Sequence, residues 1–280
     1  MMAGSRITRQ ITIILTFFLS VWLRCPSTPS EPEFDNPLIP GDPTYEPPQT
    51  TITSGPVEGA VVDTHTVSFT WRGNQTIMTF SYRLNESGWS AWSADTMVTY
   101  TYQDEGDYLF EVKGRYLSWI EEDTAAFRNY TVDDIHGPAL WLQPRYQEVD
   151  LGGTFTVEVM LEEMENVFAV KAVLEFDTAK LQVENIEVYD DARSLLKANG
   201  GTVIPFSKYD NTIGTATIDV ATATGDPPGV SGTGAIALIA FTAVQSGQTE
   251  ITFDTASAIR DPDNQDISLY ETVAALVEVR

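Results

Sequence analysis

The side chains that could do chemistry in this chain are almost all carboxylates. Forty acidic residues stand against sixteen basic ones, with two histidines and one cysteine among 280 residues. His65 and His136 fall in loop-like segments, and Cys25 lies just behind an apolar N-terminal run. No Ser-His-Asp, Cys-His or zinc set can be assembled from them. Two carboxylates alone suffice for glycoside hydrolysis, but none of the acids here sits in a recognisable motif, so no catalytic residue is assigned. The stretch Asp261-Pro262-Asp263-Asn264-Gln265-Asp266 has the look of a calcium loop. It carries Asp266 where the sixth position needs glycine and Thr272 where the twelfth needs glutamate, so it reads as a solvated hairpin turn, and no metal ligand or cofactor is assigned either. Recognition is left. Ala169, Lys171, Val173 and Glu175 alternate along one extended segment, an outward row of small, apolar and charged side chains suited to docking a protein surface.

That row needs a strand to hold it, and residues 167–176 supply one. Phe168, Val170, Ala172, Leu174 and Phe176 take the opposite, core-facing side. The strand runs into Phe176-Asp177-Thr178-Ala179-Lys180-Leu181, a short polar turn after which Leu181 and Val183 restart the alternation. Upstream lie the apolar run Ala139–Leu142 and a strand in which Phe155, Val157, Val159 and Leu161 alternate. Downstream come Lys180–Val188, Thr202–Ser207, Thr215–Val220, Ala235–Val244, Thr249–Phe253 and Val273–Val279, about nine strands in all. Residues 235–241 are apolar on both faces, which predicts a central strand covered on both sides. Pro205 has no N–H to donate, so its strand is expected at a sheet edge or a bulge. The segment 191–200 alone reads as helical, a short turn ended by Gly200.

Residues 51–134 form a separate set of alternating strands spaced by turn residues, the pattern of a β-sandwich. Gly106-Asp107-Tyr108-Leu109-Phe110-Glu111-Val112 resembles a segment of bacterial immunoglobulin-like and fibronectin III-like modules. The resemblance implies a tyrosine-corner role for Tyr108, with a buried ring and a hydroxyl returned to backbone. Trp89-Ser90-Ala91-Trp92-Ser93 matches the Trp-Ser-x-Trp-Ser signature of cytokine receptors. It precedes a middle strand instead of ending the domain, so it is expected to be hydrophobic cover for a sandwich edge rather than part of an arginine ladder; a sugar-stacking platform is the minority reading. Ahead of this module, residues 26–50 are a proline-rich stretch that cannot bury enough apolar surface to order itself, expected to be a disordered linker. Residues 1–25 carry a basic flank, Arg6 and Arg9, and an apolar run from Ile11 to Leu23. That run is short of the about 20 residues a membrane span needs, so it reads as an export signal. Cys25 resembles the lipid-accepting cysteine of a bacterial lipoprotein.

The C-terminal half, residues 137–280 beyond the Gly137-Pro138 step, resembles a cohesin domain. The resemblance rests on Gly152-Gly153-Thr154-Phe155-Thr156-Val157-Glu158-Val159, on Phe176-Asp177 followed by Leu181 and Val183, and on Gly232, Gly234, Ile236, Ala237, Ile239 and Phe241 in their Gly-x-Gly-x-Ile-Ala-x-Ile-x-Phe strand. It implies an all-β chain of two β-sandwich domains, the second a nine-stranded cohesin-like jelly roll. It also implies binding of a dockerin, a calcium-loaded helical module carried by polysaccharide-degrading enzymes, through one flat sheet face. The family's third-strand contact positions fall on Lys171 and Ala169, a cation and a methyl where cellulosomal members carry polar and acidic groups. Carbohydrate binding and a purely structural surface or matrix role are the alternatives, and polysaccharide stays open as a ligand. Without the three arginines of the leader, 13 basic residues face 40 acidic ones, a net charge of −27. Such a surface repels nucleic acid and anionic lipid, so membrane contact is expected only through the leader or a lipid. The chain as a whole reads as an exported, surface-tethered, non-catalytic binding protein.

Overall fold

Alternating apolar residues build strands throughout the residues that the structure, a computed structural model, describes: Asn36 to Arg280. The leader, the lipid-accepting role of Cys25 and the first part of the proline-rich stretch lie outside the described residues. The chain divides into one unit ending at Pro47 and a second from Pro48 to Arg280. In the first, Asn36 to Tyr45 make hydrogen-bonded turns around Asp42, whose carboxylate accepts from the N–H groups of Asn36 (2.7 Å) and Thr44 (2.8 Å).

The second unit begins with a seven-stranded sandwich. Its strands are β1 (Thr50–Ser54), β2 (Ala60–Val62), β3 (Val67–Gly73), β4 (Met78–Leu84), β5 (Met97–Tyr100), β6 (Gly106–Tyr116) and β7 (Ala126–Val132). One sheet has the order β1-β3-β5 and the other β2-β7-β6-β4. Phe69 and Phe110, both fully buried, stack between the sheets at 3.9 Å, and Trp71 meets Phe80 edge-on at 6.3 Å. Tyr108 donates its hydroxyl to the Asp104 carbonyl at 2.9 Å, as a tyrosine-corner residue would, but its ring is half-buried instead of buried.

The second sandwich follows at once, with thirteen strands. They are β8 (Ala139–Gln143), β9 (Tyr146–Val149), β10 (Thr154–Val167), β11 (Ala169–Phe176), β12 (Leu181–Val188), β13 (Thr202–Asp210), β14 (Thr215–Ala223), β15 (Val230–Ala243), β16 (Gly247–Phe253), β17 (Ala258–Arg260), β18 (Asp266–Ile267), β19 (Glu271–Val273) and β20 (Ala275–Val279). The nine expected strands are present. The additions are short: β9, the β17–β18 hairpin around Asp261, and a break at Ala274 that divides the last strand so that β19 pairs with β8 and β20 with β16 and β9. The segment at 191–200 condenses to a single 3-10 turn, Leu195–Lys197.

One sheet runs β12-β15-β10-β8-β19 and the other β13-β14-β11-β16-β20-β9, with β17 also on β11. Between them Val157, Val159, Leu161, Val170, Leu174, Ile218, Ile239 and Phe241 are fully buried, and Phe241 takes Phe155 face-on and Phe176 edge-on, both at 5.5 Å. Burying side chains of this size contributes about 1.5–3 kcal/mol each, which fixes the register of both sheets. β15 is central, as expected, between β10 and β12. Its second face is only partly covered: Ala235, Leu238 and Ala240 stay half-exposed. β13 is an edge strand, where Pro205 is tolerated.

Candidate functional site: the open face of the second sandwich

β11 alternates strictly. Val170, Ala172, Leu174 and Phe176 enter the core; Lys171 and Glu175 are exposed outward, and Ala169 and Val173 are half-exposed beside them. The turn that ends the strand is tied by Asp177. Its carbonyl accepts from the N–H groups of Lys180 (3.0 Å) and Leu181 (2.9 Å), and its side chain accepts from Ala179 N–H at 2.9 Å. Phe176 N–H reaches the carbonyl of Gly214 at 2.9 Å. Gly214 sits at φ 75°, and a Cβ there would meet the Phe176 carbonyl oxygen at 2.2 Å, so only glycine closes the β13–β14 hairpin against this turn.

Pairing then places other residues beside the β11 row. Opposed residues of antiparallel strands project to the same face, about 5 Å apart. One row across β13, β14, β11 and β17 is Ile204, Ala221, Ala169 and Arg260; the next is Phe206, Asp219, Lys171 and Ala258; a third is Lys208, Thr217 and Val173. The four expected residues are thus brought together on a wider surface that the sequence reading did not assemble. Ile204 and Phe206 are each 57% exposed, apolar groups on an edge strand with none of the described residues covering them. An alternation that puts Ile204 and Phe206 on the same side as Lys208 was the available signal. It was hidden because β13 has few buried residues to mark its inner face, Val203 being the one that is buried.

Much of the charge on this face is unpaired. Lys171 stands directly across from Asp219, yet among the described residues neither makes an ion pair within 4.0 Å, nor do Lys208 and Glu175. Elsewhere in this acidic chain cations are gripped: Arg83 by Glu111, Lys113 by Glu121, Arg193 by Glu187 and Asp191. Of the face's cations only Arg260 is paired, with Asp266 at 2.9 Å. The face thus combines small residues, two exposed apolar side chains at its β13 edge and unpaired charges, the mixture of apolar and polar surface that protein interfaces use. Among the described residues no group of three His, Cys, Asp or Glu side chains is placed to hold a metal ion.

The Trp89–Ser93 segment gives a different result from the one expected. It does cover an edge: Ser93 and Phe80 exchange both backbone hydrogen bonds (2.7 and 3.0 Å), and Ser90 N–H reaches the Tyr82 carbonyl at 2.9 Å, closing the open side of β4. It also forms a cation ladder, contrary to the expectation from its position. Trp89 is met by Arg83 (4.6 Å) and Lys113 (4.9 Å), and Trp92 by Lys113 (5.4 Å) and Arg115 (4.2 Å), while Arg115 also lies over Trp119 at 4.1 Å. β4 and β6 are adjacent, so their outward cations meet the indoles whatever their distance in sequence. Each of Trp89 and Trp92 is thus engaged by two cations and half-buried.

Among the described residues the chain is built of strands, and its second sandwich bears an open, partly apolar sheet face. Residues 145–275, a little under half of the chain, match the family model described as the cohesin domain. No curated protein matches the chain. Among solved structures it is similar to a non-cellulosomal cohesin from the hyperthermophilic archaeon Archaeoglobus fulgidus, at 16% identity and a TM-score of 0.40, covering 51% of this chain and 90% of that one. A type I cohesin–dockerin complex from Clostridium thermocellum gives 16% identity and a TM-score of 0.41, with 51% and 98% covered. A type II cohesin from the cellulosome of Acetivibrio cellulolyticus gives 17% and 0.41, with 50% and 92% covered.

Proposed function

We propose that this chain is a non-catalytic binding protein whose second sandwich docks a protein module of the dockerin type on the outer face of β13, β14 and β11. The observation that carries the reading is the exposed pair Ile204 and Phe206, continuous across the sheet with Ala221, Ala169 and the unpaired Lys171. Every one of these residues lies inside the segment that matches the cohesin family. The calcium such a partner carries would be its own. An exported chain, held at a cell surface by its leader or by a lipid on Cys25 and spaced from it by residues 26–50, is the setting in which this docking would serve extracellular polysaccharide breakdown.

The test is calorimetric titration of the full chain with a panel of purified dockerin modules, with and without calcium, beside affinity gels containing soluble polysaccharides. Saturable binding to a module that is lost in Phe206→Asp and unaffected by a change on the opposite sheet, such as Gln182→Asp, supports the reading. Binding that ignores Phe206→Asp, or retardation by polysaccharide with no module bound, overturns it.

A further inference from the structure

The two sandwiches share more than the chain that connects them. Arg145, in the turn between β8 and β9, is 5% exposed, and its guanidinium is surrounded by carboxylates from outside its own sandwich. Nη2 donates to Glu105 Oε1 at 2.9 Å and to Asp134 Oδ1 at 2.7 Å; Nη1 donates to Asp134 Oδ2 at 3.1 Å. The backbone N–H of Arg145 donates to Asp104 Oδ1 at 2.7 Å. Asp104 and Glu105 belong to the β5–β6 loop of the first sandwich, and Asp134 to the connecting segment. Glu105 grips that segment too, since its Oε1 accepts from the N–H groups of Asp134 and Ile135, both at 3.0 Å.

Packing continues the grip. Ile135 is buried with Ala139 and Trp141. Tyr102 of the first sandwich stacks on Tyr146 of the second at 5.5 Å, and it does so from a left-handed backbone (φ 55°) that a bulky residue adopts only where its surroundings hold it. Glu271 Oε1 accepts from the N–H of His136, and His136 Nε2 lies 3.3 Å from Asp63 Oδ1. A cavity of about 300 Å³ borders the clasp, lined in part by His65, Tyr102, Glu250, Glu271 and Leu276.

We propose that the Arg145 clasp fixes the angle between the two sandwiches, so that the first module sets the direction in which the open face points, and that the clasp loosens when Glu105 and Asp134 are both ionised. The rigidity does not depend on what docks. Planar, two-pronged donation to carboxylate is directional, and a buried guanidinium stripped of its acceptors is strongly disfavoured, so the geometry has one well.

The acid chemistry follows from crowding. Burial, then the hydrogen bond to Asp134, push the Glu105 carboxyl up to about 7. Burial works against ionisation of Asp134 too, but the hydrogen bonds from Arg145 and Glu105 outweigh it and hold that carboxyl below its ordinary value. Burial raises Asp104. His65, with Nδ1 3.7 Å from Asp134 Oδ2, faces the pair from the β2–β3 loop, and Glu250 and Glu271 face it across the cavity. A carboxyl whose folded value is raised stabilises the fold fully below its ordinary value and loses that contribution as pH rises through the folded one. At pH 6 one proton on the pair leaves one carboxylate for the one guanidinium. At pH 8 that proton is gone and both carboxylates of the pair are charged beside the one guanidinium.

The experiment is pulsed electron-spin distance measurement on the full chain carrying Cys25→Ser, with spin labels at Thr51→Cys and Gln182→Cys, both exposed. The expected result is one narrow distance distribution at pH 6, broadened at least twofold at pH 8. Arg145→Ala should be broad at both pH values, and Glu105→Gln, which keeps the acceptor but not the charge, narrow at both. Should Arg145→Ala fail to fold, Arg145→Lys keeps the charge without the fork and should give intermediate width. A distribution already broad in the parent at pH 6, or equally narrow in the Arg145 variants, overturns the clasp. Equal parent widths at pH 6 and 8 overturn its dependence on acid.

Discussion

Phe206 and Lys171 stand in one row of the open sheet face, on strands two apart, with only Asp219 between them. At about 5 Å per strand, the ring and the ammonium group are near enough to meet one partner helix. Phe206→Ala and Lys171→Glu should each weaken a bound module by more than about 1 kcal/mol, the loss expected for an interface anchor. Neither side chain is buried, so the unfolding free energy should move by no more than about 0.5 kcal/mol. Titration calorimetry and denaturant unfolding on the same samples separate the two effects; a large loss of stability in Lys171→Glu would mean the face is not open.

On the other side of the same strand the expectation reverses. Leu174 is fully buried between the sheets, and truncating a core leucine costs about 2–5 kcal/mol through lost transfer energy and the cavity left behind. Leu174→Ala should lower the urea midpoint without changing the slope.

Glu162 gives a pH signature inside the second sandwich. It is 7% exposed, accepts from Trp141 Nε1 at 3.1 Å and from Thr233 Oγ1, and burial raises its carboxyl above the ordinary range against the pull of those two donors. The raised value means that its contribution is complete below the ordinary carboxylate range and shrinks as pH climbs through the folded one. Glu162→Gln has no such loss. Its thermal midpoint relative to the parent should therefore be higher at pH 7 than at pH 4; a flat difference would sink the idea.

Arg115 occupies the best-connected rung of the tryptophan ladder, between Trp92 and Trp119, and donates to Thr79 Oγ1 at 3.2 Å. Two cation–π contacts at about 0.5–1 kcal/mol each put Arg115→Ala at about 1–2 kcal/mol of destabilisation. Indole fluorescence should shift to the red as Trp92 gains water, with no change in the binding of any module to the other sandwich.

Alternation with period two, visible in the sequence, determined the facing of residues 169–176 and that Asp177 begins a turn; it failed at the start, where Val167 is buried at the end of β10 and Phe168, expected in the core, is half-exposed between the two strands. The proline at 205 was enough to send its strand to an edge. Period two assigns a residue to a face but says nothing of the neighbouring strand, because pairing is chosen by the packing of two whole sheets. Only the tertiary structure could set Phe206 in one row with Lys171 or bring Arg83, Lys113 and Arg115 onto three tryptophans. Arg145 is the sharpest case. In sequence it is one residue of a turn following a proline, and it becomes the link between two sandwiches only because the fold carries the acids of the β5–β6 loop up to its guanidinium. Charge clusters form across distances that no local pattern records, since a buried ion is held by whichever opposite charges the fold delivers to it.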